Sequence, residues 1–284
     1  MPALYFFCMG KGTISATLKY QLYEKGWAVV SLSRRNELDG VREALRAKIR
    51  ELTNRTDLEL EDYHSCVEDD VTHTQWHFEL TQFFRENKLG QRVIESECEF
   101  FQSLLGPDLN IQSSPYLRIT RPGLSQDNID FHRDTLYGHT PYELSVSVAY
   151  VDIPAASALS VLSGSHVSPD KDYPTTQFLH PEVEKGSIKN QLGFLYAPKR
   201  FRPEQLIGAE PVPLQTGQIL IFSQALIHGS QVNRGVKTRW TSDTRVVNSW
   251  VPLRSELKSG YYERWSRSVV SEFGKAYDQA QEST

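Results

Sequence analysis

Four residues near the middle of the chain, Phe131-His132-Arg133-Asp134, set an imidazole and a carboxylate two positions apart. In an extended segment residues i and i+2 point to the same face, so both side chains can turn into one cavity. A third donor must come from elsewhere in the chain. His228 is the best offered, in Leu226-Ile227-His228-Gly229-Ser230 just after the apolar run Ile219-Leu220-Ile221-Phe222. Two imidazoles and one carboxylate on one side of a metal leave the opposite positions open. That arrangement suits non-haem Fe(II), which needs room for a co-substrate and dioxygen. A single His-x-Asp arises often by chance, and the distal histidine after a second strand is what gives it weight.

The elements that must position these residues read as a β core with helices outside it. Thr13 to Lys25 is a candidate helix, followed by a short strand-like run from Trp27 to Leu32. Leu38, Val41, Leu45, Ile49 and Leu52 recur at three- and four-residue intervals and predict an amphipathic helix. Gln75 to Asn87 and Gln91 to Leu105 read the same way, the second ending at Gly106-Pro107-Asp108. The character then changes. Tyr116 to Thr120 is a short strand stopping at Pro122-Gly123, and Leu144 to Val151 alternates, predicting a strand with one buried face. Leu159 to Leu162, Ile219 to Phe222 and Thr244 to Val251 are further strands, and Glu256 onward returns to a polar helical pattern. Several short strands with turn signals between them predict a sandwich or barrel. We expect one catalytic domain over 1–284: a mostly helical part at 1–110, the β core at 111–255 and a C-terminal helix at 256–284.

Bulk properties narrow the classes. The 284 residues carry 31 basic and 35 acidic side chains, a net charge of −4, so no basic excess exists to hold a phosphate backbone and nucleic acid is not expected as a partner. Cys8, Cys66 and Cys98 are odd in number and far apart, which fits neither a disulfide framework nor a Cys-x-x-Cys zinc site. The apolar stretch Leu4 to Met9 is too short for a signal-peptide core or a membrane span. The expectation is a cytoplasmic protein acting on a small molecule, with no membrane partner; its oligomeric state stays open. No glycine-rich dinucleotide or phosphate loop is present.

The flanks of the donor set resemble the phytanoyl-CoA hydroxylase-like branch of the Fe(II)/2-oxoglutarate-dependent dioxygenases. In that family His-x-Asp is followed by a strand ending in Asp, here Val151-Asp152, then by a segment of the type Gly-Ala-Leu-x-Val-x-Pro-Gly-Ser-His. Here this reads Ser157-Ala158-Leu159-Ser160-Val161-Leu162-Ser163-Gly164-Ser165-His166, with Ser157 for the leading Gly and Ser163 for the usual Pro. The distal motif, His-Gly-Ser followed by Asn and then Arg, reads His228-Gly229-Ser230-Gln231-Val232-Asn233 and Arg239. The resemblance covers most of Tyr116 to Pro252.

It implies a mainly β fold with flanking helices, a double-stranded β-helix (cupin-like jelly roll) with the metal at its mouth. It also implies Fe(II), 2-oxoglutarate and dioxygen, with decarboxylation of 2-oxoglutarate to succinate and CO2 coupled to oxidation of a second substrate. Arg239, eleven positions after His228, would pair with the distal carboxylate of 2-oxoglutarate, to which a guanidinium offers a matching planar fork. Arg245 is the rival, on the same face if the strand is continuous, and Ser230 is a candidate helper. In the halogenating relatives a small residue replaces the carboxylate, so Asp134 argues against halogenation and leaves hydroxylation, desaturation, ring closure or epimerisation open.

Other residues invite two readings. His166 belongs to the Gly-Ser-His turn and reads as structural. His64, His73 and His77 fall in the helical half and read as solvated, with cavity lining as the alternative. Tyr137 and His139 follow the metal motif and could meet substrate; Arg118 could face the cavity or a core carboxylate. The polar flanks Ser125, Gln126, Asp127, Asn128, Asp130, Thr135 and Thr140 suit a small polar metabolite such as a sugar or amino-acid derivative. Two competing readings remain: a non-catalytic jelly-roll protein that binds metal or ligand, and a zinc-dependent jelly-roll enzyme.

Overall fold

Strand β12 (Arg239–Asn248) organises the molecule, because its two faces do different work. Trp240 is fully buried and gives its indole N–H to Leu60 O at 2.6 Å, and Val246 is buried on the same face. Arg239, Thr241, Asp243 and Arg245 alternate with them and line a cavity on the other face. The structure, a computed structural model, describes residues 7–8, 15–253 and 259–282.

The major sheet has eight strands: β1 (Phe7–Cys8), β2 (Trp27–Ser31), β3 (Leu109–Gln112), β4 (Tyr116–Thr120), β5 (Leu144–Ala149), β10 (Gln218–Ser223), β12 and β13 (Tyr262–Ser266). Their order is β1-β2-β10-β5-β12-β3-β13, with β4 also on β12. All pairs are antiparallel except β1 with β2. Register sets Ser147 opposite Asp243 and Arg118 opposite Thr241, so small and charged side chains share the inner face. The minor sheet is β11 (His228–Ser230), β6 (Leu159–Val161) and β9 (Glu210–Val212), in that order. The cavity between the sheets is lined from both, by Leu159 and Val212 as well as Leu220 and Arg245. This is the jelly roll that the family resemblance implies, and it agrees with the sandwich or barrel read from the short strands. A two-stranded arm, β7 (Thr175–Gln177) and β8 (Lys199–Phe201), and the short helix α6 (Ile188–Gln191) project between β6 and β9.

Helices cover the outer face of the major sheet. Helix α1 (Ala16–Lys25) starts with Ser15 accepting from Leu18 N–H and stops at Gly26, whose φ is +81°. A Cβ there would lie 2.5 Å from His166 Nδ1, so this glycine is required twice over. Helix α2 (Arg35–Thr53) buries Leu38, Val41, Leu45 and Ile49, the stripe read from the sequence. Helix α3 (Asp70–Glu86) follows, capped by Asp69, with Phe84 edge-on to Tyr150.

Four expectations need correction. Gln91 to Leu105 is two helices, α4 (Leu89–Glu95) and α5 (Cys98–Leu105). The break lies where the Glu97 carboxylate accepts from the Ser33 and Arg34 backbone N–H groups and the Ser33 hydroxyl. Strand β5 is buried on both faces, because Ser147 faces the intersheet cavity and Ser145 meets Asp134 and Gln224 rather than water. The segment from Glu256 is not one helix: β13 pairs with β3 before α7 (Val269–Glu282) begins, while residues 256–258 lie outside the described residues, as do Thr13 and Ile14 of the first expected helix. His73 and His77 are buried, not solvated. No helix among the described residues is long and apolar enough to cross a membrane.

Candidate metal centre

His132 pairs with His228 along the edge of the minor sheet. Their backbones exchange hydrogen bonds, His132 N–H to His228 O at 2.8 Å and His228 N–H to His132 O at 3.0 Å. Their rings lie 4.4 Å apart between centroids. Each ring uses Nδ1 on a backbone carbonyl, His132 on Asp130 O (2.8 Å) and His228 on Leu226 O (3.0 Å). A proton on Nδ1 leaves Nε2 as a bare donor, which is how a protein fixes the tautomer of a metal-binding histidine. Asp134 opens a short 3-10 turn, Asp134–Tyr137, and its Oδ1 lies 3.3 Å from His132 Nε2. One ligand atom from each of His132, Asp134 and His228 falls within 4.8 Å of the others. The donor set fits a divalent metal with open positions.

Three groups hold the other carboxylate oxygen. Arg245 donates to Asp134 Oδ2 at 3.0 Å, and the Ser145 hydroxyl lies 3.4 Å from it. With the Gln224 amide turned to satisfy both its ends, its nitrogen donates to the same oxygen at 2.5 Å and its oxygen accepts from Ser145 N–H. Burial opposes the charge on Asp134, but the Arg245 guanidinium, His132 and His228 together outweigh it and keep the carboxyl well below the usual range. Burial, with His132 alongside, pushes His228 down to about 4, so it is a neutral imidazole near pH 7. Gly229 is needed between His228 and Ser230 because a Cβ there would sit 2.7 Å from the Phe131 backbone.

The two candidate arginines occupy different places on one continuous strand. Arg245 is engaged with Asp134, so it orients one of the three candidate donors. Arg239 donates to Ser157 O (2.9 Å) and Thr120 Oγ1 (3.0 Å), has no partner for Nε, and meets no carboxylate within salt-bridge distance among the described residues. Burial pulls it down to about 10. A buried guanidinium lacking a counter-charge is what an anionic ligand would complete. Ser230 lines the same cavity, but its hydroxyl is already tied to Ile129, accepting from N–H at 2.7 Å and donating to O at 3.2 Å.

Arg118 satisfies both of its readings: it borders the cavity and pairs with Asp243 at 3.0 Å. Tyr137 stands edge-on to His132, with its hydroxyl accepting from Lys199 N–H at 2.8 Å. His139 is buried, with Nδ1 2.5 Å from Glu143 Oε2 and Nε2 3.4 Å from the Tyr261 hydroxyl. His166 is structural, its Nε2 meeting Tyr23 O at 2.9 Å. His64 meets the Thr238 hydroxyl at 2.9 Å. Sequence reasoning missed Gln224, Glu143 and Asp243, each placed by sheet register or a turn with no local motif to flag it.

The family model described as phytanoyl-CoA dioxygenase (PhyH) matches residues 28–241. The chain belongs to the phytanoyl-CoA dioxygenase family. It is a 2-oxoglutarate-dependent dioxygenase, using Fe(II) and 2-oxoglutarate. Among solved structures, the non-haem monooxygenase ThoJ resembles this phytanoyl-CoA dioxygenase family member. The ThoJ nickel complex gives a TM-score of 0.51 at 19% identity, covering 93% of this chain and 97% of that one. Its apo form gives 0.52 at 18%, covering 93% and 96%. AviO1 from Streptomyces viridochromogenes Tue57 gives 0.50 at 17%, covering 86% and 99%. At these identities the likeness is one of fold. No curated protein matches the chain by sequence.

Proposed function

We propose that His132, Asp134 and His228 hold the Fe(II), that Arg239 anchors the far carboxylate of 2-oxoglutarate, and that the protein oxidises a small polar metabolite. The convergence of two bare Nε2 atoms and one Arg245-held carboxylate carries this reading. When bound, the iron and 2-oxoglutarate supply the oxidising power, releasing succinate and CO2. The chain's own residues position. Backbone carbonyls set the histidine tautomers, Arg245 and Gln224 aim Asp134, and the intersheet cavity keeps the co-substrate away from bulk water. Tyr137 and His139 border the substrate side. Asp134 occupies the position that a halogenating relative would leave small, which favours hydroxylation or a related C–H oxidation. The free thiols Cys66 and Cys98 fit a reducing, cytoplasmic setting, and the net charge of −4 gives no attraction for nucleic acid.

The test is succinate formation from 2-oxoglutarate with Fe(II), ascorbate and air. His132→Ala, Asp134→Ala and His228→Ala should each abolish turnover and bound iron while the circular dichroism stays that of a folded chain. Full iron content in His228→Ala would remove that residue from the site. A zinc-dependent enzyme would instead recover activity with Zn(II) and not with Fe(II), and a non-catalytic binder would bind metal yet form no succinate.

A further inference from the structure

Beside the metal centre lies an open chamber of about 790 Å³, bordered by His132, Asp134 and Arg245. Its wall carries four cations, Arg85, Arg118, Lys185 and Arg245, against one carboxylate, Asp134. A neighbouring chamber of about 540 Å³, which also reaches His132 and Tyr137, is balanced: Asp70, Asp130 and Glu182 against Lys189, Lys199 and Arg200. The excess is therefore a property of one chamber and not of the surface at large.

Two of the four cations are already matched, Arg245 by Asp134 and Arg118 by Asp243, each at 3.0 Å. Arg85 and Lys185 have no carboxylate within salt-bridge distance among the described residues. Arg85 is half-buried. Its Nε donates to Pro115 O at 3.0 Å and one terminal nitrogen reaches Gln191 O at 3.5 Å, which leaves the other terminal nitrogen free. Burial lowers its proton affinity, and Arg118 close by adds to that. Tyr116 forms a floor beneath this group, with the Arg85, Arg118 and Arg245 guanidinium carbons 5.4, 4.8 and 5.7 Å from its ring centre. Arg245 touches Asp134, so the unmatched Arg85 and the arginine that holds Asp134 both lie against one aromatic ring. Lys185 lies 5.9 Å from the ring of Tyr196, and Tyr261 also borders the chamber.

We infer that the primary substrate is an organic anion, phosphorylated or carboxylated, whose charged oxygens are gripped by Arg85 and Lys185 while its body rests on Tyr116 beside the metal. Aromatic walls accept the flat or C–H faces of a ring, and an unmatched guanidinium and ammonium accept anionic oxygens. This rests on the oxygenase reading of the same site and narrows its polar metabolite to a charged one.

The experiment uses full-length protein loaded with Fe(II) and saturating 2-oxoglutarate without air, so that the co-substrate's own site is filled. Phenyl phosphate and benzoate are titrated by calorimetry against the uncharged phenol and benzyl alcohol. The anions should bind at least ten-fold more tightly, and less so as salt rises. Arg85→Gln and Lys185→Gln should each remove most of that preference, and Arg85→Lys should keep part of it. Lys185 is exposed, so its variant tests the idea even if Arg85→Gln folds poorly. Equal binding of charged and uncharged probes, or anion binding unchanged in Lys185→Gln and Arg85→Gln, overturns the inference. Failure of the wild type to bind 2-oxoglutarate would instead overturn the oxygenase reading.

Discussion

Arg239 and Arg245 sit on one strand, share a face and are both almost fully buried, yet they should fail differently when removed. Arg239→Ala should weaken 2-oxoglutarate by roughly 2–5 kcal/mol, tens- to thousands-fold, with iron affinity little changed. Arg245→Ala frees Asp134 and leaves its carboxylate buried without its counter-charge, so iron affinity should fall first. Parallel titrations of iron and 2-oxoglutarate on the two variants check this, and a 2-oxoglutarate loss confined to Arg245→Ala would exchange the two roles. The sequence made His132 and Asp134 legible because a spacing of two fixes a shared face. It placed both arginines on the cavity face for the same reason. It could not separate them, since what distinguishes Arg245 is a contact with Asp134 made 111 positions away. Tyr137 was legible from its place just after the metal motif, whereas Tyr261, which borders the same chamber, was not. Both hydroxyls are raised above the ordinary phenol range, first by burial.

At the scale of elements, the buried outer face of β12 carries the sheet's attachment to the helices. Trp240 fills that interface, edge-on to Tyr63 at 5.4 Å, with its N–H satisfied by Leu60. Trp240→Ala should cost about 3–5 kcal/mol, measured by urea unfolding, and Trp240→Phe less, since only the hydrogen bond and part of the volume go. A smaller loss than for an exposed position such as Trp250 would contradict this packing. Helix α2 was readable to within a few residues because its stripe is regular. The break between α4 and α5 was not, because its cause is Glu97 capturing a turn some sixty positions earlier. Strand β13 was missed for another reason: Tyr262 to Ser266 is only partly buried, so it carries no clear alternation.

Over the whole molecule, pH acts on stability through buried imidazoles away from the metal. Burial pushes His73 and His77 down to about 3. His77 keeps its ring against Leu117 O at 3.0 Å. His73 lies 3.6 Å from Asp127, but Arg121 already pairs with that carboxylate at 2.8 Å, so no free counter-charge draws a proton onto the ring. Their folded values lie below the unfolded 6.5, so the unfolded chain binds more protons as pH falls. Stability is fully present above about 6.5 and declines towards 3, by up to about 4 kcal/mol for each ring. Urea midpoints across pH 7 to 4 should show this slope, and His77→Gln should flatten part of it. An unchanged slope would mean that the ring is hydrated.

The direct backbone pairing of His132 with His228 has a consequence for how the metal comes and goes. The two imidazoles are held side by side by amide hydrogen bonds that need no ion. Stripping with a chelator should therefore leave the ligands waiting in register, their amides still slow to exchange with deuterium. Reloading then becomes simple capture from solution: its rate should rise linearly with iron concentration, with no lag and no plateau set by a rearrangement of the chain.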